Sequence, residues 1–235
     1  MKQSNSCNTK NRLITEFILL YLGIPVFLRI LPIATKRMTG HAFSLPVIPV
    51  LLIIFVIIFF ILLKDKSFDK KAFVRMPSIK ANPKPYLQIA IRFIIGASLL
   101  TVLLYFIKPE AILSFPKNKP QFWCVVMCCY PLISVYPQGV IYRALYEHRY
   151  SKCFPFPASL QILIGALAFA CAHIPFGNIY AILFTFIGGI MFLSTYRATN
   201  SLILAAIEHA LFGDFLFTIG WGQFFFHAGT LATLS

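Results

Sequence analysis

A few ionisable side chains in the second half of the chain lie inside strongly apolar stretches of sequence. They are Arg143, His173, Glu208, His209 and Asp214, which come from three separate stretches. An ionisable residue at the depth of the hydrocarbon costs roughly 2.5–3.5 kcal/mol on insertion scales, so such residues normally face a cavity or one another. We therefore expect the three stretches to contribute to one polar pocket.

Ionisable groups at this depth are functional candidates by default, and histidines and carboxylates are side chains that often transfer protons in catalysis. Helical spacing favours a shared site, because Phe169 and His173 are four residues apart and lie on one face. The same spacing separates Gly139 from Arg143 and Arg143 from Glu147, which makes Glu147 a candidate surface partner of the arginine.

Less specific roles remain open for each of these side chains. A membrane histidine is commonly an interhelical hydrogen-bonding group, and Arg143 could be a topology residue that extends to the headgroups. Glu208 could be a buried hydrogen-bonding group tied to Arg197 or to the pocket. Two histidines on different spans favour the shared pocket, but the sequence does not choose among these roles.

The composition indicates that membrane-spanning helices must position this pocket. Of the 235 residues, 59% are hydrophobic and 12% are charged, against about 25% charged in soluble domains. Apolar runs such as residues 51–63 approach the length of about 20 residues that crosses hydrocarbon. The predicted fold is all-α, a polytopic membrane protein with about seven transmembrane helices in a single bundle, or eight if the C-terminal tail adds one. The predicted spans are 13–33, 46–63, 86–107, 121–143, 157–174, 176–196 and 200–220.

Prolines are predicted to interrupt the helices next to the polar residues. Pro131 and Pro137 each remove a backbone donor from the fourth span. Pro175 disfavours helix at the residue before it, which leaves His173 near a helix end. Because a broken helix is tolerated in a membrane where it lines a cavity, we expect the chemistry to lie at broken or terminal helix segments.

The net charge of +14 does not indicate a nucleic-acid partner, because the basic residues lie in short loops between apolar spans. With a cytoplasmic N-terminus, fourteen Lys and Arg residues lie inside, six lie outside and one lies within a span. This asymmetry predicts that the N-terminus is cytoplasmic. The basic loop over residues 64–85 is first of all a topology signal, and attraction of anionic membrane lipid is the alternative interpretation. The six cysteines show neither a disulfide framework nor metal-ligand spacing.

Three short motifs, taken in order, resemble the CPBP family, which contains the type II CAAX prenyl proteases and bacteriocin-processing or immunity proteins. The stretch "QGVIYRAL" at residues 138–145 resembles the family's Glu-Glu-x-x-x-Arg motif, and "FACAH" at 169–173 matches its Phe-x-x-x-His motif. The stretch "EHALFGD" at 208–214 resembles the third motif, His-x-x-x-Asn or His-x-x-x-Asp. The chain then divides into N-terminal helices with a basic loop (1–120), a CPBP-like core (121–222) and an apolar tail (223–235).

The resemblance implies an intramembrane endopeptidase in which a glutamate and histidines activate water inside a water-accessible cavity. On the matching positions of this chain, the catalytic candidates are Gln138, Arg143, His173 and His209. If the reaction uses a divalent metal such as zinc, His173 and His209 are the candidate ligands. The implied partners are membrane lipid and a peptide or protein substrate with a membrane-associated segment. The bacterial branch of the family implies an integral protein of the inner membrane.

The first and third motifs depart from the family pattern at positions that carry its chemistry. Gln138 and Gly139 stand where the family has two glutamates. Gly213 stands at the Asn or Asp position of the third motif, with Asp214 one residue later. Because a glutamine cannot accept a proton from water, the general base is missing, a loss that removes about 10²–10⁴ in rate.

Without a glutamate at position 139, Arg143 is expected to pair with Glu147 or with lipid headgroups. Glu208 or Asp214 would have to supply the missing carboxylate. Three functions remain open: a CPBP-type endopeptidase, a catalytically dead pseudoprotease that binds a partner in the membrane, and a small transporter or channel. The motif order and the lack of internal repeats count against the transporter.

Overall fold

A computed structural model of the protein describes residues 2–225, with side chains from Lys10 onward, and every regular element in this part is helical. Seven helices are long and apolar enough to cross a membrane, which confirms the predicted all-α, seven-span architecture. Residues 226–235 of the tail, where an eighth helix was considered, lie outside the described part.

The seven long helices are labelled α1 to α7 in chain order, and short helical turns connect them. Two of the seven contain π-helical segments and continue through them without a break. The bounds are α1, Lys2–Ile18 with Leu19–Gly23 (π) and Ile24–Thr39; α2, Val47–Lys64; α3, Lys84–Ile107; α4, Pro120–Tyr130 with Pro131–Val135 (π), Tyr136–Gly139 and Val140–Tyr150 (π); α5, Ala158–Cys171; α6, Ile179–Thr199; and α7, Leu202–Ile219. The short turns are Lys70–Phe73, Pro109–Ala111, Ser114–Asn118, Ser151–Cys153, Ile174–Phe176 and Trp221–Phe225.

The prolines of α4 widen the helix and do not break it, so the predicted interruption of the fourth span was wrong. Pro131 begins the first π-helical segment, and Pro137 lies in the four-residue α-helical stretch between the two segments. A proline has no N–H to donate and its ring crowds the carbonyl four residues earlier, and a wider turn relieves both. Tyr21 of α1 donates its hydroxyl to the carbonyl of Ile141 at 2.7 Å, which satisfies an acceptor in the widened region.

Small residues let α5 and α6 approach closely. A Cβ atom on Gly189 would lie 2.9 Å from the Cα of Ala166, and one on Gly165 would lie 2.5 Å from a methyl group of Leu193. Interfaces between membrane helices favour such residues, because helices there associate through close packing and not through hydrophobic burial. This contact fixes α5, which carries His173 at its end, against the rest of the bundle.

The basic loop between α2 and α3 is tied to the bundle through two aspartates. Asp65 accepts a hydrogen bond from the ring of His148 in α4 at 2.8 Å, and Asp69 accepts from Arg75 at 2.6 Å and from Asn200 at 3.0 Å. The bond from His148 holds the pKa of the Asp65 carboxyl below its ordinary range, and the Arg75 guanidinium does the same for the pKa of Asp69. The loop is thus an ordered cap on one end of the bundle.

Candidate active site

A cavity of about 1520 Å³ lies among the long helices, and all seven contribute lining residues, α2 only through its first turn. Most of its lining is apolar, and its polar wall includes Tyr130, Gln138, His173 and His209. Three of these four are predicted site residues, so the polar groups of three distant sequence segments do reach one chamber. Within the described part of the chain, no aspartate or glutamate belongs to the cavity lining.

Arg143 and His209 form the buried base of the site. Arg143 is 2% exposed, and its Nη2 lies 3.0 Å from Nδ1 of His209. Its guanidinium carbon lies 5.1 Å from the ring centre of Phe192 and 5.7 Å from that of Phe169, which adds cation–π attraction. A guanidinium can only donate, so Nδ1 of His209 accepts and its Nε2 carries the ring proton.

His173 lies just beyond the end of α5, as Pro175 predicted, because α5 ends at Cys171 and the turn Ile174–Phe176 follows. Its Nδ1 donates to the carbonyl oxygen of Phe169 at 3.1 Å. The neutral ring therefore keeps an unprotonated Nε2, which is a hydrogen-bond acceptor. The ring of Phe169 contacts both imidazoles, with its centre 5.1 Å from that of His173 and 5.4 Å from that of His209.

The first motif leaves two buried polar atoms without partners. Gln138 donates from Nε2 to the hydroxyl of Ser134 at 2.7 Å, but its Oε1 finds no partner among the described residues. Arg143 likewise has an unpartnered, buried Nη1. A Cβ on Gly139 would lie 3.0 Å from that nitrogen and 3.0 Å from Cδ1 of Leu202. The position that lacks a glutamate is thus the position beside the unsatisfied donor.

The third motif leaves a space that another side chain fills. A Cβ on Gly213 would lie 2.7 Å from Cζ of Tyr130 and still closer to its hydroxyl oxygen, so this phenol excludes any side chain at position 213. The hydroxyl oxygen of Tyr130 lies 3.4 Å from Nε2 of His209. Sequence reasoning missed Tyr130, and its only signal was the glycine at the expected Asn or Asp position.

The two candidate replacement carboxylates lie outside the cavity. Glu208 is fully buried, with Oε1 3.1 Å from Nη1 of Arg92 and Oε2 accepting from the hydroxyl of Thr195 at 2.6 Å. Its cationic partner is therefore Arg92 and not Arg197. Asp214 is partly buried, and its Oδ1 has no partner among the described residues. Neither carboxylate belongs to the cavity lining. The lining residues next to them in sequence are His209, which follows Glu208, and Gly213, which precedes Asp214.

The expected partner of Arg143 was also wrong. Glu147 accepts from Nε of Arg197 at 2.7 Å, an ion pair that joins α4 to α6. Arg143 lies inside α4, seven residues before Tyr150, and its burial among Phe169, Phe192 and His209 prevents it from reaching headgroups. The predicted end of the fourth span at residue 143 was too early, because hydrogen bonding continues the helix to Tyr150.

The sequence was compared with family models, with curated proteins and with solved structures. The model described as "Type II CAAX prenyl endopeptidase Rce1-like" matches residues 30–213, a range that holds all three motifs. The chain belongs to this Rce1-like family. The match begins in α1, well before the start of the resemblance at residue 121. No curated protein and no solved structure gave a match.

Seven apolar helices of membrane length in a family of membrane proteases make this Rce1-like chain an integral membrane protein. Its site keeps the arginine and both histidines of the motifs and brings them together. The glutamates are replaced by an amide at Gln138 and by a hydrogen atom at Gly139. What the arrangement can do is hold a polar group against two imidazoles in an apolar chamber. Among the described residues that line the cavity, none is a carboxylate.

The residues of this Rce1-like site do not fit a zinc ion. A zinc site takes three or four protein ligands, each offering a free lone pair. Nδ1 of His209 is occupied by Arg143, and its Nε2 carries the proton, so neither nitrogen is available. Within the described residues, no group of three or more His, Cys, Asp or Glu side chains could hold a metal. The chemistry of the site is therefore derived from the protein's own groups.

Proposed function

We propose that this Rce1-like protein binds a membrane-associated peptide segment in its cavity without hydrolysing it efficiently, as a pseudoprotease of the CAAX endopeptidase family. The observation that supports this most strongly is the cavity wall, which keeps two imidazoles but has no carboxylate among its described lining residues. Losing a general base removes about 10²–10⁴ in rate, equivalent to roughly 3–5 kcal/mol of barrier. The Gln138 amide, which lines the same cavity as the two histidines, can orient a polar group but takes no proton from it.

The cavity supports a substrate or partner with an apolar, membrane-embedded portion. Its volume of about 1520 Å³ exceeds the roughly 300–1000 Å³ of pockets for small molecules. A short extended peptide with a lipid-like group fits such a chamber, which agrees with the prenylated peptides implied by the family's description. The polar residues at its base then face the peptide backbone, since an apolar ligand offers them no other partner.

A slow endopeptidase is the second candidate, and His173 supports it. Its Nε2 is unprotonated and its ring lines the cavity, so it can take a proton from a water molecule. The water oxygen would add to the peptide carbonyl carbon, and the proton would pass to the leaving amine nitrogen as the C–N bond breaks. With a lone imidazole as base, turnover stays far below that of a site with a glutamate.

The distribution of charge supports a cytoplasmic N-terminus in a bacterial inner membrane. The N-terminal end of α1, the loop 64–84 and the turns after α4 and α6 lie at one end of the bundle and carry most of the basic residues. The cavity reaches the opposite end, because residues 42–49 and 114–119 contribute to it. No lining residue falls within 50–90, 139–168 or 193–208. A bound peptide would thus approach from the extracytoplasmic side, while the basic loop faces anionic lipid.

Binding and turnover can be separated with one set of proteins. A lipid-anchored peptide library with a photoreactive group is incubated with wild-type protein and with His173→Ala in lipid nanodiscs. We expect ultraviolet crosslinking within the cavity for both proteins and no cleavage by either. Cleavage by the wild type that His173→Ala abolishes would replace the first candidate with the second. The absence of cavity crosslinks in both proteins would reject peptide binding altogether.

A further inference from the structure

Tyr130 adds a hydroxyl group to the cavity wall next to His209, and no motif accounts for it. It comes from α4, about two turns before the first motif, and lines the cavity together with His209. Its ring occupies the space that a side chain at position 213 would need. The glycine and the tyrosine therefore fit each other, and the phenol stands where a polar side chain of the third motif would be.

Tyr130 and His209 present two hydrogen-bond donors side by side. Because Arg143 donates to Nδ1 of His209, the ring proton lies on Nε2 and can be donated. The tyrosine hydroxyl oxygen lies 3.4 Å from that nitrogen and carries a proton of its own. One oxygen atom can accept from two donors at this separation, with both hydrogen bonds near the usual 2.7–3.0 Å.

We propose that Tyr130 and His209 together hold the carbonyl oxygen of a bound peptide, with Tyr130 replacing a polar side chain at position 213. The proposal rests on peptide binding in the cavity, as proposed above, and adds the residue that selects for the peptide backbone. Two preorganised donors in an apolar chamber favour a tetrahedral oxyanion over a planar carbonyl. The pair should therefore still bind a tetrahedral oxyanion more tightly than a planar carbonyl, although the general base for hydrolysis is missing.

A purely structural role for Tyr130 is the alternative to exclude. Its ring packs against Phe217 at 5.2 Å between centres, and a phenylalanine would preserve that contact. Tyr130→Phe therefore removes only the hydroxyl. Tyr136→Phe is the matched control, because Tyr136 is also on α4 and donates to the carbonyl of Phe73, away from the cavity.

The test measures the affinity of two probes in lipid nanodiscs by fluorescence anisotropy. One probe is a dye-labelled hydrophobic decapeptide, and the other has a phosphinate in place of its central peptide bond, which mimics the oxyanion. A hydrogen bond to a charged group is stronger than one to a neutral group. Wild-type protein should therefore bind the charged phosphinate about tenfold more tightly than the plain peptide. Tyr130→Phe should lose about tenfold of phosphinate affinity and little affinity for the plain peptide. Tyr136→Phe should bind both probes as the wild type does.

A swap and a spectroscopic measurement add two independent readouts. Tyr130→Ala should lose the phosphinate preference, and adding Gly213→Asn to it should restore part of the preference, because the ring no longer fills that space. Nitrogen-15 NMR of histidine-labelled protein should show the His209 proton on Nε2. An unchanged preference in Tyr130→Phe, or a proton on Nδ1, would overturn the donor pair while leaving peptide binding intact. If neither probe binds the wild type, the proposed function itself fails, and the donor pair with it.

Discussion

The unpartnered Nη1 of Arg143 lies 3.0 Å from the point that a Cβ on Gly139 would occupy. The nitrogen is buried and the guanidinium packs against the rings of Phe169 and Phe192, so leaving this donor unpaired costs stability. A carboxylate that starts from position 139 would reach this donor directly. The loss of the glutamate is thus visible in the structure as a buried arginine nitrogen, Nη1 of Arg143, that has no hydrogen-bond partner among the described residues.

Gly139→Glu should therefore stabilise the protein more than Gly139→Gln, its isosteric control. Both variants place the same number of atoms beside Leu202, whose side chain must shift by a few tenths of an ångström. Both side chains can accept a hydrogen bond from Arg143, but only the glutamate brings a negative charge to the guanidinium, which makes its bond stronger by about 1 kcal/mol. Thermal unfolding in detergent measures the difference. Equal unfolding temperatures for the two variants would mean that Arg143 has another partner.

Glu208 is expected to be a stability residue and not a catalytic one. It is fully buried, and removing its charge leaves Arg92 without a counter-ion inside the membrane. Breaking a buried pair typically costs about 3–5 kcal/mol, and the lower end applies because the Arg92 side chain is 32% exposed. Glu208→Gln should lower the unfolding temperature well below that of Glu147→Gln, because the Glu147 side chain is 26% exposed whereas that of Glu208 is fully buried. A larger effect from Glu147→Gln would contradict this assignment.

The orientation can be measured with single cysteines in a cysteine-free background. Ser44 lies in the exposed loop that reaches the cavity, and Ser78 lies in the exposed basic loop at the other end. In intact bacterial cells, a membrane-impermeant maleimide should label Ser44→Cys but not Ser78→Cys. Permeabilised cells should show labelling of both, which controls for reactivity. The reverse pattern in intact cells would place the cavity mouth on the cytoplasmic side.

The basic loop should loosen in acid but not near neutrality. Asp65 and Asp69 have folded-state pKa values held below the ordinary range by His148 and Arg75, so their bonds contribute stability above about pH 4. That contribution is lost as the pH falls through the lower folded-state values. Hydrogen exchange of residues 65–75 should thus stay constant from pH 7 to pH 5, after correction for intrinsic rates, and rise below about pH 4. Asp69→Asn should raise it already at pH 7.

The number of spans and the three-helix origin of the site could be predicted, because both depend on local pattern. A sufficiently long apolar stretch forms a membrane span whichever helices pack against it. An ionisable residue within the membrane must face a cavity or another polar group. Pro175 located His173 at the end of α5 for the same reason, since a proline limits only the residues next to it.

The partners of the polar residues could not be predicted, because they depend on how distant helices pack. Arg92 reaches Glu208 across 116 residues of sequence, and Tyr130 reaches His209 across 79. A glycine in a motif shows that a side chain is missing, but it does not show which ring fills the space. The widening of α4 at Pro131 was missed for a related reason, since a proline can end, kink or widen a helix, and the packing around it decides among these.

Restoring the carboxylate at position 139, next to the lining residue Gln138, tests most directly whether the loss of the motif's glutamate silences hydrolysis. Mass spectrometry would follow a lipid-anchored peptide incubated with wild-type protein, with Gly139→Glu, and with Gly139→Glu combined with His173→Ala. We predict no fragments from the wild type, fragments from Gly139→Glu, and their loss in the double variant. Wild-type cleavage as fast as that of Gly139→Glu would show that another group supplies the base, and would contradict the account.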